Sequence, residues 1–333
     1  MSDRPLASVS LSLDNLWTYL EAHGAPGWEA RPSFLDTFIP RVLDVLDVAG
    51  IRITFFVVGR DAEREENAAM FRNLTQRGHE VGNHSFQHEP WLHRYSRDQL
   101  EEDVARAEEA ITLATGQRPV GFRGPSYSWS PVLLEVLERR GYLYDSSALP
   151  TYLGPLARAY LFRSAQLPAR ERAIRGNLFG NFSDGRRPVK PFWWLLGEGR
   201  ALLEMPITTF PGLKTPIHLN YLLYLSRYSE RLALGYFRLA LAVCRLTGTE
   251  PSFALQPVDL LGSDEVPELA FFPGMDLPGE RKRSMFLKTL ALLGDSFSLV
   301  TMSTHAAALR SRWGLYTRYP APLGLPASPP AAP

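Results

Sequence analysis

Three observations predict an α/β fold built on parallel strands. Short apolar runs alternate with helical segments, the rhythm of strand–helix–strand units. Glycines fall where those helices should stop, as at Gly50, Gly78 and Gly141. Several strands end on a residue able to do chemistry, which in parallel α/β folds is where sites assemble. The chain has 333 residues, 45% of them hydrophobic, enough for one large core or two smaller ones.

In chain order, Val9-Ser10-Leu11-Ser12-Leu13-Asp14 alternates apolar and small polar residues and ends on an acid, a strand pattern. Ser12 and Asp14, two apart, share one face of it. Asn15 to Pro32 reads as an aromatic, Gly/Pro-containing loop. A helix follows with Pro40 in its first turn, Val42, Leu43 and Leu46 inward, and Gly50 as its stop. Ile53 to Val58 is a buried strand, and a polar helix from about Arg64 to Gln76 closes at Gly78. Ser96-Arg97-Asp98-Gln99 is a capping box opening a helix with Leu100, Val104, Ala107 and Ile111 on one stripe. Val120 to Pro125 is a short strand and turn, Ser130-Pro131 opens another helix, and Tyr142 to Asp145 is strand again. From about Pro150 to Arg200 the rhythm breaks, and between Arg158 and Lys190 lie eight basic residues against Glu171 and Asp184. Leu203 to Thr209 resumes it, followed by an apolar helical stretch over about 219–246 with a break expected near Ser229. Ser252 to Pro257, a helix over about 279–293 and Phe297 to Thr301 complete the core. The expected organisation is one domain over 1–318 with an Arg-rich insertion at about 150–200, then a Pro/Ala-rich tail over 319–333.

A net charge of +1 gives no global field for nucleic acid or an anionic membrane. The single cysteine, Cys244, excludes an intramolecular disulfide framework and suits a reducing compartment. The N-terminal residues lack an apolar signal core, and no run of eighteen uncharged apolar residues occurs. The expectation is a cytoplasmic protein, with peripheral contact at the inner membrane face and oligomerisation left open.

The chemistry centres on Gly78-His79-Glu80-Val81-Gly82-Asn83-His84-Ser85-Phe86-Gln87-His88. A helical turn past the strand would put His84 and His88 on one face, a ready pair of ligands for a divalent transition metal. Asp14 at another strand end completes an Asp-His-His set. A metal held so lowers the pKa of water towards roughly 7 and polarises a carbonyl, machinery for amide or ester hydrolysis.

The Asp-containing first strand, His84-Ser85-x-x-His88 and Arg123-x-Pro125 stand in the order and approximate spacing of the NodB-homology polysaccharide deacetylases, carbohydrate esterase family 4. The resemblance covers about 8–148 and resumes around 203–305. It implies a distorted (β/α)7-type barrel, a divalent metal, most simply zinc, on Asp14, His84 and His88, and removal of acetyl or formyl groups from amino sugars. Gly121 to Pro125 followed by Tyr142 to Asp145 looks most like branches acting on small or lipid-linked sugars, which implies a carbohydrate or glycolipid substrate. Pro125 and Tyr127 are candidate substrate contacts; Ser12, Arg123, Asp145 and Gln256 occupy or adjoin the family's catalytic positions.

Two departures accompany the matches. The family's first motif carries a metal-binding acid and a base acid, and here one acid remains. In an Asp-x-Asp register Asp14 is the ligand and Ser12 replaces the base; in an Asp-Asp register Asp14 is the base and Asn15 replaces the ligand. The first is favoured because Ser12 and Asp14 share a strand face. Phe253 to Asp259 matches the family's last motif with Gln256 in place of its histidine acid. Glutamine hydrogen-bonds but exchanges no proton near neutral pH. A silent, glycan-binding or regulatory family member, or a non-hydrolytic enzyme reusing the metal pocket, is the alternative reading. Arg123 is expected to bind a substrate anion or to pair with Asp145.

Overall fold

The computed structural model describes residues 4–156, 159, 182–312 and 314–320. Residues 157, 158 and 160–181 of the Arg-rich insertion, and the tail beyond 320, lie outside the described residues. The strands are β1 (Leu6–Leu13), β2 (Thr54–Val57), β3 (Glu80–Asn83), β4 (Gly121–Phe122), β5 (Tyr144–Asp145), β6 (Phe192–Gly197), β7 (Arg200–Glu204), β8 (Ser252–Leu255), β9 (Ser298–Val300) and β10 (Tyr316–Arg318). They form one sheet in the order β10-β6-β7-β5-β4-β3-β2-β1-β8, with β9 added to the start of β1. From β7 through β5, β4, β3, β2 and β1 to β8 every pairing is parallel. The chain beyond β7 then reaches round to β8, where Thr208 N donates to Ser252 O at 3.0 Å. That bond closes a distorted (β/α) barrel of seven parallel strands. The antiparallel pairing of β6 with β7 hangs a hairpin on its rim.

β1 explains how the barrel is filled. Its Ala7, Val9, Leu11 and Leu13 join the outer apolar layer with Val42, Leu43 and Leu46 of α2 (Leu35–Ala49) and Phe286, Leu290 and Leu293 of α9 (Gly279–Ser296). Each such side chain withdrawn from water stabilises the fold by about 1.5–3 kcal/mol. The alternate residues Ser8, Ser10 and Ser12 are buried too, and they meet polar partners from inside the barrel. Ser8 Oγ lies 3.1 Å from His305 Nδ1 of α10 (Met302–Arg310), and Ser10 Oγ accepts from Arg123 at 2.8 Å. Thr54 and Tyr144 both donate to Glu80, at 2.7 and 2.9 Å. The first amides of α10 point at this group: Met302 N donates to Thr54 Oγ1 and Ser303 N to Glu80 Oε2. A carboxylate at a helix N-terminus is favourably placed.

Four sequence expectations change. The loop from Asn15 to Pro32 contains α1 (Leu16–His23), capped by the Asn15 side chain and stopped by Gly24. Leu16, Tyr19, Leu20 and His23 recur at helical spacing. Pro40 sits inside α2 rather than in its first turn, because that helix starts at Leu35. β6 lies within the span read as irregular, where Phe192-Trp193-Trp194 supplies aromatic strand formers. The expected break at Ser229 does occur: it caps α8 (Glu230–Thr247) after α7 (Leu219–Ser226). The fourth change concerns His84 and His88 and is described with the site. Among the described residues no helix is long and apolar enough to cross a membrane.

Candidate metal centre

Because the ring strands are parallel, Asp14 after β1, His84 after β3, Arg123 after β4, Asp145 at the end of β5 and Gln256 after β8 share one end of the barrel. Three of them converge. Asp14 Oδ1 lies 3.1 Å from both His84 Nε2 and His88 Nε2, and the donor atoms all fall within 4.8 Å of one another. Asn15 instead turns to Asp61 and Ser33 and caps α1. Asp14, not its neighbour, therefore meets the histidines.

His84 and His88 are not brought together by a helix. The segment after β3 is a tight irregular turn with left-handed backbone at Ser85 (φ 67) and His88 (φ 59). Four contacts hold it. Asn83 Oδ1 accepts from Ser85 N at 2.8 Å, and Ser85 Oγ accepts from His88 N at 3.1 Å. Asp103 of α5 (Arg97–Thr115) accepts from Phe86 N at 2.9 Å and Gln87 N at 3.0 Å. On the other side, Gly59 N donates to Ser85 O, and a Cβ at Gly59 would lie 2.7 Å from the Phe86 ring. Only glycine permits that approach.

The tautomer of His84 follows from its partner. Nδ1 lies 2.5 Å from the Arg123 carbonyl oxygen, which can only accept, so Nδ1 carries the proton. In the neutral ring Nε2 is then a bare lone pair aimed at a carboxylate oxygen. That contact is repulsive unless a cation or a second proton lies between. Burial disfavours the second proton, holding His84 below its ordinary range. Burial alone would raise Asp14, yet hydrogen bonds and charge from the two histidines hold its carboxyl far below the carboxylate range. Burial likewise pulls His88 down, and Asp14 more than reverses it. A set of one carboxylate and two imidazoles, buried at Asp14 and His84 and half-buried at His88, fits a divalent transition metal, and the backbone bond at Nδ1 is the usual orienting contact.

The remaining candidates make a second group. Arg123 is 1% exposed and meets neither a substrate opening nor Asp145. Its guanidinium donates to Ser146 O (3.2 Å), Ser146 Oγ (3.0 Å), Ser10 Oγ (2.8 Å) and Ser12 Oγ (3.4 Å), and lies 4.3 Å over the Phe56 ring. These partners are all neutral, and burial pushes the guanidinium down to about 10. The expected pairing of Arg123 with Asp145 is replaced because Asp145, fully buried, turns to Ser147 at 2.7 Å and to Glu204 on the adjoining strand. Burial raises both carboxyls, Glu204 further through the Asp145 charge. Gln256 Nε2 donates to Asp14 Oδ2 at 3.4 Å, beside the metal-ligand set. Pro125 is buried and shapes the turn in which Ser126 (φ 50) and Tyr127 (φ 62) are left-handed. Burial pushes the Tyr127 phenol up to about 12, with Arg123 and Asp14 both acting on it. Asp276, outside this group, is exposed and ion-paired with Arg227.

Sequence reading missed three acids. Asp61, just past β2, accepts from Asn15 (2.9 Å) and Trp17 Nε1 (3.1 Å), and Trp17 stands edge-on to His88. Asp103 pins the histidine turn. Asp259 accepts from Gln256 N at 2.9 Å, and burial pushes it up to about 6. Asp61 and Asp259 lie just beyond strand ends, a position that could have drawn attention to both; Asp103, in mid-helix, carries no such mark.

Residues 8–144 match the family model described as polysaccharide deacetylase. A peptidoglycan deacetylase-like protein of Gibberella zeae is 34% identical over 114 residues, covering 33% of this chain and 32% of that protein. A chitooligosaccharide deacetylase of Sinorhizobium fredii is 35% identical over 105 residues, 31% of this chain and 47% of that one. The matches thus span a third to about half the length of these relatives. A solved structure from Mycobacterium smegmatis, described as a polysaccharide deacetylase, is similar over 93% of both chains at 19% identity with a TM-score of 0.57, a likeness of fold. Residues 8–144 of the 333 thus carry the match to the polysaccharide deacetylase model, and the barrel as a whole is similar in fold to the Mycobacterium smegmatis protein.

Proposed function

We propose that this protein is a metal-dependent amidohydrolase that removes an acetyl or formyl group from an amino sugar, with zinc on Asp14, His84 and His88. One observation carries the reading: ligand atoms of buried Asp14 and His84 and half-buried His88 within 4.8 Å, with one imidazole lone pair fixed towards the carboxylate by the Arg123 carbonyl. The metal, when bound, supplies Lewis-acid polarisation of the acyl carbonyl and activation of water. The chain's residues do the rest. Asp14 and the two imidazoles hold the ion; Gln256, donating to Asp14 Oδ2, offers an N–H to a developing oxyanion or leaving group. Ser12 and Gln256 move no proton near neutral pH. Losing a general base or acid costs about 10²–10⁴-fold each, so turnover is expected to be slow. Glycans of the class named for the relatives, or a lipid-linked amino sugar, are the substrates to screen.

The second reading is a silent member that keeps the pocket to bind a glycan. What favours it is Arg123, sealed among neutral partners where the base carboxylate of this family would stand. The test is metal content of the purified protein with turnover of N-acetyl and N-formyl amino sugars, alongside His84→Ala/His88→Ala. About one equivalent of metal and acyl release, both lost in the variant, support hydrolysis. Metal without acyl release from any N-acyl sugar supports the silent reading. No metal after incubation with excess zinc removes the hydrolase reading and points to a binding or scaffold protein.

A further inference from the structure

The basic character of the Arg158–Lys190 span continues into described residues that have no part in the metal centre. Arg186, Arg187 and Lys190 meet Lys214 and Arg318 around a cavity of about 410 Å³. The walls also bring Thr247, Thr249 and Tyr316, and no carboxylate lines it. One cation is already satisfied: Arg187 pairs with Asp184 at 2.6 Å and lies 4.1 Å over the Trp129 ring. Its backbone carbonyl serves the cavity instead, accepting from Lys214 Nζ and so fixing that ammonium in place. Lys214 is itself left-handed (φ 60) in a turn with Gly212 (φ 86), a conformation unusual for a side-chain-bearing residue. Lys190 Nζ lies near Gly248, the C-cap of α8, 3.9 Å from where a Cβ there would stand. Arg186, Lys190 and Arg318 make no ion pair among the described residues.

Like charges gathered this closely repel, and solvent alone screens them poorly inside a concavity. An anion with several acceptor oxygens relieves the repulsion. Guanidinium forks beside ammonium groups and hydroxyls match phosphate oxygens in charge and geometry. The lining is apolar as well as basic: it includes Pro188, Val189, Pro211 and the exposed Tyr316. We infer that this cavity binds a phosphate-bearing ligand, taken either as a soluble phosphate ester or as the head group of an anionic lipid.

The test uses the full chain with three probes: inorganic phosphate, inorganic pyrophosphate, and phosphatidylcholine vesicles with and without phosphatidic acid. Titration calorimetry reads the first two and co-sedimentation the third. Saturable binding is expected, weakening as salt is raised. The charge reversal Lys190→Glu/Arg318→Glu is expected to weaken it about a hundredfold, on the order of tenfold per charged contact. His84→Ala/His88→Ala is expected to leave it unchanged, which separates this cavity from the metal centre. A melting temperature for the charge-reversal variant within the wild-type range excludes misfolding; Lys190→Gln/Arg318→Gln replaces it if it misfolds. Binding of the soluble anions names a soluble ligand, and binding of the phosphatidic acid vesicles alone names a lipid. No saturable binding of any probe, or binding by the charge-reversal variant (or its glutamine replacement) as tight as that of the wild type, overturns the inference.

Discussion

Two groups of side chains share the open end of the barrel and are built on different terms. Asp14, His84 and His88 are a set of acceptors waiting for positive charge, wired from behind by Asn83, Asp103 and the Arg123 carbonyl. Ser12, Arg123 and Gln256 have the opposite balance: a buried guanidinium donates to hydroxyls and a carbonyl, with no carboxylate among the acceptors it meets. On the proposed reading, cation-holding and proton-moving are separable parts of one site. The first can stay intact while the second is emptied.

The sharpest way to break the comparison is at the metal end. His84→Ala removes a ligand and the bond to Arg123, and metal affinity should fall by more than about a hundredfold. Equilibrium dialysis against zinc measures it, and retained affinity would sink the assignment. Next in size is Ser12→Asp with Gln256→His, which supplies a base and an acid. Acyl release from an N-acetyl amino sugar should rise by about 10²-fold or more; no change in a folded, metal-loaded protein would show that these positions are not where protons were handled. Ser12→Asp alone should raise the melting temperature at pH 7. Its carboxylate, stabilised by Arg123, has a depressed pKa, so the gain is present above the ordinary carboxylate range and lost as pH falls through the folded value.

A smaller effect is expected from Asp103→Ala. It strands two amides and loosens the histidine turn, costing about 1–3 kcal/mol of stability and roughly tenfold in metal affinity. Chemical denaturation and dialysis should register both. The smallest separates fold from site. Burial pulls His79, His93 and His218 down to about 4. Between the ordinary histidine value and that point, the unfolded chain binds protons that the native one does not, so stability falls as pH drops from 6.5 to about 4. The decline should persist in His84→Ala/His88→Ala; its absence there would trace it to the metal centre.

Much of this was legible in the sequence. The parallel strands, Ser229 as a break and the convergence of Asp14 with two histidines followed from period, capping and strand-end placement. What escaped reading depends on contacts distant in sequence. Nothing local announces that Ser85 and His88 adopt left-handed backbone, because the cause lies in Asp103 and Gly59. Arg123 was expected to meet an anion; the three serines it does meet come from β1 and from Ser146, fixed by barrel geometry rather than spacing. α1 was hidden by aromatic and small residues, and β6 by the basic stretch before it.

Arg123 belongs to both groups at once. Its peptide oxygen sets which nitrogen of His84 is bare, while its side chain spans the barrel interior to Ser10 and Ser12. The two halves of the site are thus pinned through a single α-carbon, like two arms on one axle. Remodelling the floor under Ser12 cannot move that side chain's backbone without also turning the imidazole, so the geometry of one half keeps the other in register even when only one is at work.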